Sequence, residues 1–238
     1  MKIRKTFLYA IFAVMAFILV ACGGTQSTPE AQPPVETEEV AEDTEQEMEA
    51  EEPEVAGGQG VFTIVPAESQ ARFLIGEVLA GNAIVVVGAT NGVEGQILVE
   101  YANPQAATMS AVQVDMSSLE TDNGFRNSAI HGRILETENP DFRYATFEGT
   151  GFEGLPESVT VGQPFDVQIT GNLTIHGVNR EETFSATITP VSETRIEGLA
   201  SLTILYEDYG VQILRMPDQV ASVEDDVTLE LEFVAEAQ

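Results

Sequence analysis

Val227-Thr228-Leu229-Glu230-Leu231-Glu232-Phe233 alternates without a break, apolar residues on one side and polar ones on the other. A period of two puts Val227, Leu229, Leu231 and Phe233 on one face of a β-strand and leaves the other face wet. The same pattern runs through Val112-Gln113-Val114-Asp115-Met116 and Phe165-Asp166-Val167-Gln168-Ile169-Thr170. Phe62-Thr63-Ile64, Ala71 to Ile75, Gly95 to Val99, Ser185 to Ile188 and Leu199 to Ile204 read as further strands. Gly76, Gly81, Gly92, Gly151, Pro156, Gly162, Gly177 and Gly198 stand at turn-like positions between them. One segment departs from the pattern. Phe125 to Glu138 has Ala129, Ile130 and Ile134 at helical spacing, with Pro140 just beyond, and predicts a short helix. Many half-wet strands in one domain mean a sandwich or a barrel, and alternation alone does not separate the two.

The chain before this domain is of a different kind. Lys2, Arg4 and Lys5 precede an uncharged apolar run from Phe7 to Val20, the order of a secretory signal. That run is shorter than the ~20 residues a membrane-spanning helix needs. It ends at Leu19-Val20-Ala21-Cys22-Gly23-Gly24, which resembles a lipobox, so Cys22 is the expected site of lipid attachment. Cys22 is the chain's single cysteine, which excludes an internal disulfide. Gly23 to Gly60 holds ten acidic residues between Glu36 and Glu52 and no aromatic or basic residue. Such a segment buries too little apolar area to offset its ordering entropy. It is expected to be a disordered tether, able to reach on the order of 120 Å when stretched. The organisation expected is therefore a signal peptide over 1–21, an acidic tether over 22–60 and one β domain over 61–238.

Net charge is −29, and no lysine follows Lys5; the seven remaining basic residues are arginines, from Arg72 onward. A surface this acidic repels nucleic acid, which excludes a DNA- or RNA-binding role. It also repels anionic head groups, so Cys22 rather than surface charge is expected to hold the domain at the membrane, on the extracytoplasmic side.

Several stretches resemble the YceI family, in order and over nearly all of Val61 to Val234. Phe62 to Val65 with Ser69 to Phe73 is similar to that family's first strand pair. Val112 to Leu119 resembles the strand leading to its helical insertion. Arg126-Asn127, Pro140 and Ala145-Thr146-Phe147-Glu148 are similar to its central signature, and Leu173-Thr174-Ile175-His176-Gly177-Val178 to its strand-turn-strand. Asp208-Tyr209-Gly210-Val211 and Val227 to Phe233 fit its last strands. The departures are Asn127 in place of an Asp, Tyr206-Glu207 where an Arg-Ser pair is frequent, and no histidine between Ala80 and Gly92. The resemblance implies an all-β fold: an antiparallel, lipocalin-like β-barrel with one short helical insertion, holding an isoprenoid chain along its axis.

Such a barrel would be lined by the apolar phase of each strand: Phe73, Ile75, Ile97, Val99, Val112, Val114, Phe147, Val167, Ile169, Ile188, Leu229 and Leu231. The competing reading is that these side chains fill the interior themselves. A one-residue slip would turn each of them outward. Arg126 is the candidate for a ligand's polar head group; its alternative is an ion pair with a nearby carboxylate. His131 and His176 are the only histidines, lie in different elements and lack metal-ligand spacing, so no metal and no cofactor is expected. No Gly-x-Ser-x-Gly elbow is present, and an acylated Cys22 is no nucleophile. The leading expectation is a carrier or sequestering module for an apolar or amphiphilic small molecule, isoprenoid or fatty acyl. A surface or stress-related interaction protein with a packed core is the first alternative, and an enzyme acting on a lipid the second. Monomer and homodimer both stay open.

Overall fold

The computed structural model describes residues 59–100, 102–213, 218 and 220–238, the side chain of 221 excepted. The expected signal peptide, Cys22 and nearly all of the acidic tether lie outside the described residues. The strands are β1 (Gln59–Ile64), β2 (Gln70–Leu79), β3 (Asn82–Thr90), β4 (Val93–Glu94), β5 (Gln96–Glu100) and β6 (Thr108–Met109). They continue with β7 (Val112–Asp115), β8 (Tyr144–Glu153), β9 (Phe165–Ile175), β10 (Val178–Ser192), β11 (Arg195–Leu205) and β12 (Val220–Ala237). β1 starts at Gln59, so Gln59 and Gly60 belong to the barrel rather than to the tether.

All twelve strands form one antiparallel sheet in the order β4-β7-β8-β9-β10-β11-β12-β1-β5-β6, with β2 added to β12 and β3 to β2. The sheet curls into a half-barrel, as a right-handed strand twist accumulated over this many neighbours requires. β12 is the spine. Its Val220–Glu232 stretch backs β2 and its last residues back β1. β1 and β2 are thus one long strand bent at the 3₁₀ turn Pro66–Glu68. At this bend Ser69, buried, stands in for the missing ladder: its hydroxyl accepts from Val234 N–H at 3.0 Å and donates to Val234 O at 3.3 Å. β4 lies between β3 and β5 in the chain yet pairs with β7 (Val93↔Val114), which draws the two margins of the curl together.

The register defines two ends. At one end lie Gln59, paired with Glu100, the β8–β9 loop, the β10–β11 hairpin and Ala237. At the other lie the β9–β10 hairpin, the 3₁₀ turn Tyr206–Tyr209 after β11, and the helical segment between β7 and β8. That segment is α1 (Gly124–Ala129) followed by one π-helical turn, Ile130–Ile134. The helix forms where the sequence predicts it. Asn123 caps it, accepting from the N–H groups of Phe125 and Arg126.

Three turn assignments need correction. Gly76, Gly151 and Gly198 lie inside β2, β8 and β11. Gly151 sits at a β8 bulge and Gly76 faces the Glu224 side chain. Gly198 makes room for a phenylalanine ring. Each glycine marks a bulge or a close approach within the sheet rather than a chain reversal. Gly177 does reverse the chain. His176 and Gly177, both at positive φ, form the two-residue link between Ile175 and Val178, the turn geometry that suits strand twist.

Candidate functional site

The inward faces of the strands do not meet. They enclose a cavity of about 760 Å³. Its wall is almost wholly apolar, with Phe62, Phe73, Phe147, Phe165, Phe184 and Phe233 among the residues that line it. Phe147 and Phe184 meet edge to face, with centroids 4.9 Å apart. Such a wall offers dispersion and water exclusion but few directional contacts, so it suits an apolar chain more than a compact polar molecule.

Every lining residue expected from the sequence faces inward or packs with the core, and all but Ile75 and Val167 reach the cavity. Phe73, Leu229 and Leu231 contribute from β2 and β12, and Ile97, Val99, Val112 and Val114 from β5 and β7. Phe147, Ile169 and Ile188 contribute from β8, β9 and β10. Ile75 is a correction to the expected lining: it pairs with Val227, beyond the cavity, and packs in the cluster that closes the far end. Val167 is a second correction. It is held against Ala186 and Ala200, whose small side chains let the strands' inward faces close over it.

The wall also includes residues outside the expected set. Phe62, Phe184 and Leu173 lie on alternating strands and are legible in that phase. Ser158, Val159, Thr160 and Val161 alternate polar and apolar yet form no strand; they lie on the β8–β9 loop, and only folding brings them to the cavity.

The helical end is sealed. Tyr209 is fully buried in the cluster with Ile175, Ile204, Val211 and Val227. Its hydroxyl donates to Glu182 Oε1 at 3.0 Å, and burial pushes its pKa up, so it stays a neutral donor. The end carrying Gln59 is not closed in this way: the wall runs out to Ser192, Glu193 and Thr194 on the β10–β11 hairpin and to the β8–β9 loop.

Charge is sparse on the wall: Arg72, Glu230 and Glu193 are its charged members among the described residues. Arg72 is committed, its guanidinium 3.0 Å from Glu230 and 3.4 Å from Glu232. Arg126, the head-group candidate, is not on the wall. It reaches Asp122 at 2.6 Å and Glu77 at 3.5 Å, so the ion-pair alternative describes its position. Each histidine has its own local partner. A ring nitrogen of His131 is 2.7 Å from Leu119 O. His176 stacks on Phe142, ring centroids 4.1 Å apart, with Nε2 3.6 Å from Glu136. Among the described residues no three His, Cys, Asp or Glu side chains converge to hold a metal ion.

A curled antiparallel sheet around an apolar cavity is a lipocalin-like half-barrel. The YceI-like domain family matches residues 62–235, and the chain belongs to that family. Among solved structures, it is similar to a polyisoprenoid binding domain from Saccharophagus degradans implicated in plant cell wall breakdown. That match has 18% identity and a TM-score of 0.58, covering 74% of this chain and 98% of the other. BcnA of Burkholderia cenocepacia is similar at 18% identity and TM-score 0.56, covering 72% of this chain and 98% of the other. Both likenesses are of fold. No curated protein is significantly similar to the chain.

Proposed function

We propose that the barrel binds a neutral, chain-like lipid of isoprenoid type. In this reading the protein is an extracytoplasmic lipoprotein held to the membrane by acylated Cys22. The observation that carries the reading is the cavity of about 760 Å³, whose apolar wall holds no uncommitted cation among the described residues. An apolar chain inside is stabilised by about 25 cal/mol per Å² removed from water, and it needs no directional partner. A carboxylate or phosphate would need a cation. Arg72 is spent on two glutamates, Arg126 is off the wall, and the surrounding surface is strongly acidic. This favours a prenyl quinone or another uncharged isoprenoid over a fatty acid or a polyprenyl phosphate. The unfilled interior also counts against the packed-core interaction protein. The reading is of a binding module rather than an enzyme, in keeping with the family and the apolar wall.

Native mass spectrometry of the full chain, purified in the presence of its own membranes, tests this. A discrete added mass that organic extraction identifies as a neutral prenyl lipid is the expected result. An apo mass that does not shift on incubation with prenyl quinone or polyprenol overturns it. A bound fatty acid or polyprenyl phosphate overturns the neutral class while leaving the carrier role.

A further inference from the structure

At the open end of the barrel, apolar side chains stand in water. Val159 is 40% exposed, Val161 51% and Val191 42%, although each sits beside the cavity mouth. Val159 and Val161 also line the cavity, so one apolar surface runs from the interior to the outside of the molecule. We propose that this rim is a docking surface for a lipid bilayer. The β8–β9 loop and the β10–β11 hairpin seat the mouth on the membrane, and a neutral lipid passes between bilayer and cavity without crossing water. The inference rests on the lipid-binding reading and names the surface through which that site is loaded.

Three further observations carry it. The loop is bounded by Gly154 and Gly162, at φ of +92° and +78°, conformations that side chains resist. Gly162 N–H donates to Pro190 O at 2.7 Å, which ties the loop to the hairpin strand, so the three valines act as one rim. The chain enters the barrel at this same end. Gln59 opens β1 beside Glu100, so everything from Cys22 to Gly58 attaches next to the mouth. An anchor upstream of Gln59 leaves this end, where the chain joins the barrel, free to meet the membrane.

Charge decides the kind of bilayer. Glu157 and Glu193 flank the valines. Arg195, the basic residue at this end, is held by Glu68, Glu197 and Glu236 at 2.8–3.0 Å. With no free cation on the rim among the described residues, docking is apolar. It suits a zwitterionic surface, is weakened by anionic lipid, and is not weakened by salt.

The protein contains no tryptophan, so one introduced indole reports its own surroundings. The experiment uses the full chain carrying Cys22→Ser, so that no acyl group contributes. Val161→Trp and Val191→Trp report on the rim. Val85→Trp reports on β3, where Val85 is 64% exposed and lies toward the sealed end. With phosphatidylcholine vesicles containing brominated acyl chains, the emission of both rim indoles should shift to the blue and be quenched, while the β3 indole does neither. Equal quenching at all three positions, or none at the rim, overturns the proposal. Uptake of micelle-dispersed prenyl quinone by the Val85→Trp chain, without vesicles, separates the two readings. Uptake with an unquenched rim rejects docking alone, and no uptake rejects the lipid-binding reading beneath it.

Discussion

Phe233 lies across Gly198, its directly opposed partner on the neighbouring strand. A Cβ built on Gly198 would stand 2.6 Å from the ring's Cε1 and Cζ, and 3.0 Å from the carbonyl oxygen of Thr187 on the other side. Phe73 lies across Gly88 in the same way, in direct register between β2 and β3. Both rings border the cavity. The glycines let an aromatic ring lie along the wall instead of projecting into the lumen, so they help to keep the interior open.

Gly198→Val should therefore displace Phe233 inward. Overpacking of this kind costs typically about 1–3 kcal/mol. A lowered midpoint in urea unfolding at unchanged slope, together with weaker uptake of a prenyl lipid, is the expected result. Phe233→Leu in the Gly198→Val background should restore part of the stability, which unfolding of the double variant measures.

The Ser69 hydroxyl ties the bend between β1 and β2 to β12. Ser69→Ala leaves the buried Val234 N–H without its acceptor, a loss of about 1–3 kcal/mol. Amide exchange at Val234 should accelerate well beyond that of Leu229, which belongs to the regular β12 ladder. Equal acceleration along the strand would mean a global effect rather than the loss of this bond.

Leu231 projects into the cavity from the middle of β12. Leu231→Trp adds volume where the wall is open, and its indole N–H finds no partner there. The fold should persist, since the cavity rather than the packed strands takes the added atoms. Binding of a prenyl quinone should fall at least about tenfold, which is a change of about 1.4 kcal/mol. Titration by native mass spectrometry measures it, with circular dichroism as the control on folding.

Strong acid should loosen the helical end. The Arg143 side chain, bonded to Asp115 at 2.7 Å, holds the Asp115 carboxyl down at about 2, and the Ser117 hydroxyl and N–H add to this. An aspartate depressed below its unfolded value of about 3.9 contributes stability that is fully present above that pH and is lost as pH falls toward the folded value. The loss due to Asp115 should fall between about pH 4 and pH 2. Partial exposure of the pair screens the effect and keeps it small. Asp115→Asn should flatten the pH dependence of stability in that window, which thermal unfolding across pH reads directly.

Much of the barrel was legible in the chain because a strand with one wet face writes its period locally. Val227 to Phe233 declares its inward phase without reference to any other residue, and so do Val112 to Met116 and Phe165 to Thr170. The helix was legible for a similar reason, in the spacing of Ala129, Ile130 and Ile134 ahead of Pro140. The order of the YceI-like stretches then chose barrel over sandwich, a choice that alternation leaves open. Tertiary structure decided whatever depends on which residues oppose one another. Gly198 and Gly76 read as turns because a glycine's local signal is the same whether it frees the backbone or makes room for a neighbour; only the register with Phe233 and Glu224 tells them apart. Ile75 keeps the inward phase yet misses the cavity, because period gives direction but not depth along the barrel axis. Val159 and Val161 alternate with Ser158 and Thr160 as a strand would, yet they form a loop, and they join the cavity only because the sheet curls until the β8–β9 loop meets its mouth. Whether the interior is filled or hollow is the sum of side-chain volumes against the radius of the curl, and no single stretch of sequence contains that sum.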